Sequence, residues 1–251
     1  MSKRIALVVA LALGVVPVTS SAGVLDKVQK AAKKAGGKVG EGAKYGKIKP
    51  SDVNPALSTI DADKQVNPFL SVAANEGKPM GEISYVISGK KNYDTFFKDT
   101  ATLSASVVMT KGLLHITSTE LTRIASARGI DEAKSSKNLT QVAKAIAAKK
   151  GNLKPEDLTM IKSLYLASTG LVDVVTATPA RATGLVAQGK GFASSAPKDF
   201  SSEPLKIPAV VEGLTSSISN VTTAASEAGP LAQELIGLVG AMKEIGTGGT
   251  F

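Results

Sequence analysis

The chain has 251 residues, 43% of them hydrophobic but only 4% aromatic, with no Trp, no Cys and a formal charge of +9. That length allows one large domain or two small ones, with a core of Ala, Val, Leu and Ile rather than of rings. The missing cysteines exclude disulfides, thiolate metal sites, cysteine nucleophiles and acylation of a lipobox cysteine.

Residues 1–22 read as an export signal. Lys3 and Arg4 form the basic start, 5–18 the apolar stretch, and Ser20-Ser21-Ala22 a small-residue cleavage site, so Gly23 is the expected mature N-terminus. An uncleaved anchor is the rival reading, but 14 apolar residues containing Gly14 and Pro17 fall short of the roughly 20 a span needs. No later stretch reads as long and apolar enough to cross a bilayer, which leaves the mature chain soluble or peripheral.

Without Lys3 and Arg4 the charge is +7, and +6 of it lies in 24–49, where Lys27, Lys30, Lys33, Lys34, Lys38, Lys44, Lys47 and Lys49 face only Asp26 and Glu41. Residues 24–35 have the pattern of a short amphipathic helix, and Gly36, Gly37, Gly40, Gly42 and Gly46 then break regularity. The expectation is a solvated basic arm over 23–49 whose eight lysines settle on an anionic membrane or polysaccharide surface. Basicity confined to an exported tail does not point to nucleic acid.

Residues 50–79 read as a connector with a short helix from Asn67-Pro68 to Gly77. The stretch 80–88 is ambiguous: Ile83, Tyr85 and Ile87 alternate as a strand would, while Met80, Ile83 and Ile87 fit a helix face. Helix is chosen because no partner strand is evident. The longest proline-free periodic stretch is 93–128, about 54 Å of helix, with Phe96, Leu103, Val107, Leu114, Leu121 and Ala125 in one stripe. Phe97, Val108 and Ile116 lie off that stripe, so this helix is expected to be central, with a bend at Gly112.

Gly129 marks a stop and Asp131 a restart. Asn138 is placed to cap a short helix carrying Leu139, Val142, Ala143 and Ile146, which ends at Lys149-Lys150-Gly151. Pro155 suits a first helical position, with Glu156 and Asp157 at the positive end of a helix that should stop near Thr178-Pro179. A weaker helix over 179–191, a proline-rich crossing loop over 194–208 and a helical hairpin over 208–245 broken at Gly229-Pro230 complete the reading. The expected fold is thus all-α: 1–22 a signal, 23–49 a basic arm, and 50–251 a single elongated bundle.

Chemistry is sparse in this sequence. His115 is the one histidine; Gly112 stands where a Glu-x-x-His metal site needs its Glu, and zincin-type sites need a second His. There is no Gly-x-Ser-x-Gly, no Ser-x-x-Lys with a companion Ser-Asp-Asn or Lys-Thr-Gly, and the 184–191 glycines lack P-loop spacing. Asp61/Asp63 and Glu156/Asp157 suit turns and helix starts better than acid–base chemistry. Asn138 and Asn220 head glycosylation sequons that matter only in a eukaryotic secretory route. No catalytic, cofactor-binding or metal-ligating residue is assigned. The expected function is an exported, non-catalytic helical protein of the cell envelope, periplasmic or extracellular, without a cofactor. It would bind or scaffold an envelope component, an anionic surface or another protein. The second expectation, from a different class, is a membrane-interacting or pore-forming helical protein, because small-residue helices pack closely in lipid as well as in water.

Overall fold

The computed structural model describes residues 44–48, 50–53, 83–134, 136 and 138–246. The expectations for the export signal, for the arm up to residue 43 together with Lys49, for the helix at 67–77 and for a fraying C-terminus fall outside those residues. The described elements are β1 (Lys44–Lys47), α1 (Pro50–Val53), β2 (Ser84–Ile87), α2 (Lys91–Ala127), α3 (Asp131–Lys134), α4 (Leu139–Ala148), α5 (Pro155–Asp199) and α6 (Ile207–Gly246). Single 3-10 turns at Lys150–Asn152 and Pro204–Lys206 precede α5 and α6. The protein is mostly α-helical, and its body is the packing of α2, α5 and α6 on one another.

α2 forms because nothing interrupts its period, and its ends are set by two glycines with positive φ, Gly89 at 85° and Gly129 at 64°. At the C-terminus, Ile130 N donates to Ala125 O (2.9 Å) and Gly129 N to Ser126 O (3.4 Å). That is the paired 6→1 and 5→2 bonding of a Schellman stop, with Ile130 buried beside the last turn. All six stripe residues from Phe96 to Ala125 are buried, and so are Phe97 and Ile116, so α2 is enclosed on several sides as a central helix is. It continues as helix through the buried Gly112. Buried hydroxyls inside it are satisfied locally, as where Thr110 Oγ1 donates to Ser106 O at 2.8 Å.

The core changes character along the bundle. One end is aromatic, with Tyr93, Phe96, Phe97 and Phe200 packed against Val210, Val211 and Leu214. The middle is built from small and branched residues, Val107 and Val175 meeting Ala182, Val221, Ala224 and Ala228. The other end joins α4 to the long helices through Leu121, Ile124, Ile146, Ile161, Leu235 and Leu238. Close approach is built in: a Cβ on Gly189 would lie 2.8 Å from Phe96 Cζ and from Ile218 Cγ1.

Several local expectations are corrected. The helix expected to end at Thr178 runs 45 residues to Asp199, with Pro179 and Pro197 inside it. The expected loop over 194–208 shrinks accordingly to a turn around Phe200, itself fully buried. The expected hairpin over 208–245 is one helix, α6, with Pro230 inside. The physical reason is shared: Pro179 and Pro230 are exposed, so each ring faces solvent and only a local backbone bond is lost. The buried faces continue past them, through Val175, Thr178 and Ala182 in α5 and Ala228, Ala232 and Leu235 in α6.

Pro230 nonetheless carries the intrinsic penalty of an interior proline, about 3 kcal/mol relative to Ala. Part of this is offset by a stiffer unfolded chain. Pro230→Ala should therefore raise stability by about 1–3 kcal/mol, read as a higher denaturant midpoint at unchanged slope. A lower midpoint would mean that the proline shapes α6 productively.

The stretch expected as helix at 80–88 contains strand β2, and its partner lies in the segment assigned to the basic arm. β1 and β2 pair antiparallel in the register Lys44↔Ile87, Tyr45↔Val86, Gly46↔Tyr85 and Lys47↔Ser84. Gly46 permits this pairing, since a Cβ there would fall 2.7 Å from Tyr85 Cε1. Ile48 is 6% exposed and donates its N–H to Ile83 O at 2.8 Å. Residues 44–48 therefore belong to the folded body rather than to a solvated arm.

Candidate functional site

Of the eight arm lysines, the structure places Lys44 and Lys47, both exposed, on β1. Three residues apart in a strand, they project to opposite faces. Lys27, Lys30, Lys33, Lys34, Lys38 and Lys49 lie outside the described residues. His115 is exposed, and among the described residues no group of three or more His, Asp or Glu side chains is arranged to hold a metal ion.

Among the described residues, four of the titratable groups with displaced protonation sit at the two ends of α5, where they tie it to α2; the fifth, Glu203, is held low by its hydrogen bond from Lys206 in the turn before α6. At the first end Arg128 Nε donates to Asp157 Oδ2 at 2.6 Å, and Lys154 N donates to the same oxygen at 2.9 Å. Asp157 is 2% exposed. Burial pushes its carboxyl up, but the Arg128 hydrogen bond, the Lys154 N–H and the charges of Arg128 and Arg123 outweigh burial and hold it below the usual carboxylate range. The Asp157 hydrogen bond in turn raises the Arg128 guanidinium.

At the second end the single phenolic proton of Tyr93 goes to Asp199 Oδ2 at 2.8 Å, with Ser195 Oγ at 2.9 Å. Burial, reinforced by Asp199 and opposed by Ser195, pushes Tyr93 up to about 12. Hydrogen bonds from Ser195 and Tyr93 hold Asp199 low. Alongside, Asp94 Oδ1 accepts from Ser88 N (2.6 Å) and Ser88 Oγ (2.7 Å), and Lys206 Nζ donates to Ser88 O at 3.1 Å. Lys90 Nζ stands 5.0 Å from the centre of the Phe200 ring, a cation–π distance. A phenol held protonated and carboxylates held ionised by neighbours are matched to fastening helix ends. None is poised near neutral pH to move a proton.

The expectation that no later stretch could cross a membrane is corrected by α5. Among the described residues this one helix is long and apolar enough to do so, since between Lys162 and Arg181 its only charge is Asp173. One-third (33%) of its most apolar window is buried in the bundle. Leu164, Ala167, Leu171 and Val175 form its inward face, all at 0% exposure. Leu166 on the outer side is 52% exposed.

A cleft of about 250 Å³ opens where the two-stranded sheet meets α2 and α6. Its α6 wall carries Glu212, Ser216 and Asn220, four residues apart and so on one helix face. Ser104 of α2 and Tyr45, Ser84 and Val86 of the sheet also line it, and Tyr45 and Val86, paired across the two strands, share one sheet face. Tyr45 is 58% exposed. The lining includes one carboxylate and no cationic side chain. Glu212, Ser216 and Ser104 escaped the sequence reading, in which Asn220 figured only as a sequon and Tyr45 as part of the arm. The four-residue spacing of Glu212, Ser216 and Asn220 was visible, but polar residues on one helix face ordinarily mean only a solvated side.

No protein-family model, curated protein or solved structure matches the chain.

Proposed function

We propose that this chain is an exported, non-catalytic helical protein of the cell envelope that works by binding. The observation that carries the reading is a division among polar groups. Asp157, Tyr93 and Asp199, whose protonation is displaced, are engaged in fastening α5 to α2. Glu212, Ser216 and Asn220, by contrast, face a cleft. Export is supported by the basic, apolar and small-residue order of 1–22. The remaining arm lysines supply a second, Coulombic contact with an anionic surface. A membrane-interacting, pore-forming role is the second reading. The apolar window of α5 favours it, while the fully buried inward face of the same helix favours a stable bundle.

Co-sedimentation of the chain from Gly23 with insoluble envelope material tests the binding role, and retention is expected. Deleting 24–43, which spares β1, should leave the helical far-ultraviolet signal intact. Retention at 0.01 M salt should drop, with less effect at 0.15 M, because the Debye length shortens from about 30 Å to about 8 Å. Retention unchanged by the deletion at both salts would assign all contact to the body. Turnover of peptidoglycan, ester or peptide substrates that His115→Ala abolishes would overturn the non-catalytic reading.

A further inference from the structure

We infer that the cleft between the sheet and α6 is a saccharide subsite, in which the hydroxyl-rich end of a neutral saccharide chain lies against Tyr45 and hydrogen-bonds along Glu212, Ser216 and Asn220. The inference rests on the binding role proposed above and supplies its ligand class. At about 250 Å³ the space is below the roughly 300–1,000 Å³ typical of sites for drug-sized ligands. It suits a small unit or the end of a chain.

The chemistry of the walls selects among small units. With one carboxylate and no cation in the lining, the walls themselves offer phosphates, phospholipid headgroups and other anions no charged partner. A carboxylate accepts only, a hydroxyl donates and accepts, and a carboxamide does each with a different atom. Vicinal hydroxyls complement that set, because each is both donor and acceptor. Glu212, Ser216 and Asn220 rise along α6 over about 12 Å at 1.5 Å per residue, so they form a line of polar groups rather than a point.

Tyr45 fits the other side of a sugar. A pyranose ring has an apolar C–H face beside its hydroxyl edge, and tyrosine offers an apolar body with a polar tip. The Tyr85 ring lies against Gly46, where its Cε1 would be 2.7 Å from an added Cβ. Tyr45, at 58% exposure, remains as the platform.

The chain has no Trp and four Tyr, so the part of its intrinsic fluorescence change that Tyr45→Phe removes reports on the cleft. The chain from Gly23 is titrated with N-acetylated chitotriose, cellotriose and maltotriose, by tyrosine fluorescence and calorimetry. An oligolysine peptide and inorganic phosphate serve as contrasting ligands. At least one saccharide is expected to bind saturably, and Tyr45→Ala and Asn220→Ala should each weaken it about tenfold or more while circular dichroism stays unchanged. The inference is overturned if no saccharide binds, or if binding persists unchanged in both variants. Saturable binding of the peptide alone, lost in Glu212→Gln, overturns the saccharide class but leaves the binding role standing. Absence of all binding, together with no retention by envelope material, removes both.

Discussion

Phe96→Ala is expected to lower stability by about 3–5 kcal/mol, the cost of truncating a buried Phe and leaving a cavity. At roughly 2–4 °C per kcal/mol for a chain of this size, the melting temperature should fall by roughly 6–20 °C. Phe96 is 0% exposed and meets Phe97 and Phe192 edge-to-face at 5.6 Å each. Phe192 also stacks on Tyr93 at 4.3 Å, and Tyr93 meets Phe200 at 5.1 Å. Four of the six phenylalanines in the chain thus share one end of the bundle. The Phe96 ring also fills the space left by Gly189, where an added Cβ would lie 2.8 Å from Phe96 Cζ. Leu166→Ala, at a 52% exposed position, provides the comparison. An equal drop there would contradict the assigned core.

Arg128→Ala is expected to be the most damaging change among the ion pairs, because it strands Asp157, 2% exposed, without its charge partner. Arg123→Ala should cost under about 1 kcal/mol, since the Arg123–Glu120 pair is largely at the surface. The same geometry sets a pH window. Asp157 and Asp199 have depressed values in the folded chain, so their stabilisation is present above the unfolded value of about 3.9. It is lost as pH falls through the folded values. Tyr93 is raised from 10.0 to about 12, so its contribution is full below about 10 and is lost as pH rises toward 12. A stability plateau bounded near pH 4 and pH 10 follows, measured by denaturant midpoints across pH. Asp157→Asn should flatten the acid limb and Tyr93→Phe the alkaline one. Limbs unchanged in both variants would show that other groups set the window.

Much of the bundle was legible because α2 has both an uninterrupted period and glycine punctuation. The expected 93–128 became Lys91–Ala127. Asn138 likewise caps α4 as its position implied, accepting from Gln141 N at 3.1 Å. The errors came from reading proline as a stop. In α5 and α6 the three-and-four spacing of buried residues runs straight through Pro179 and Pro230, and tertiary packing outweighs the local penalty. The strand pair was hidden for another reason: β1 has few strand-favouring residues, and its partner lies about forty positions along the chain. The cleft could not be read from any one stretch, because Tyr45, Ser104 and Asn220 meet only after the sheet, α2 and α6 have packed.

In the proposed role α5 works as a packed helix of a binding protein rather than as a membrane insert. Dye leakage and flotation with vesicles containing anionic lipid test this directly, using the chain from Gly23 at 0.15 M salt. The predicted result is no leakage and no flotation, with the tyrosine near-ultraviolet signal unchanged, while envelope material still retains the protein. Leakage together with protection of 155–199 from protease in the floated fraction would contradict it.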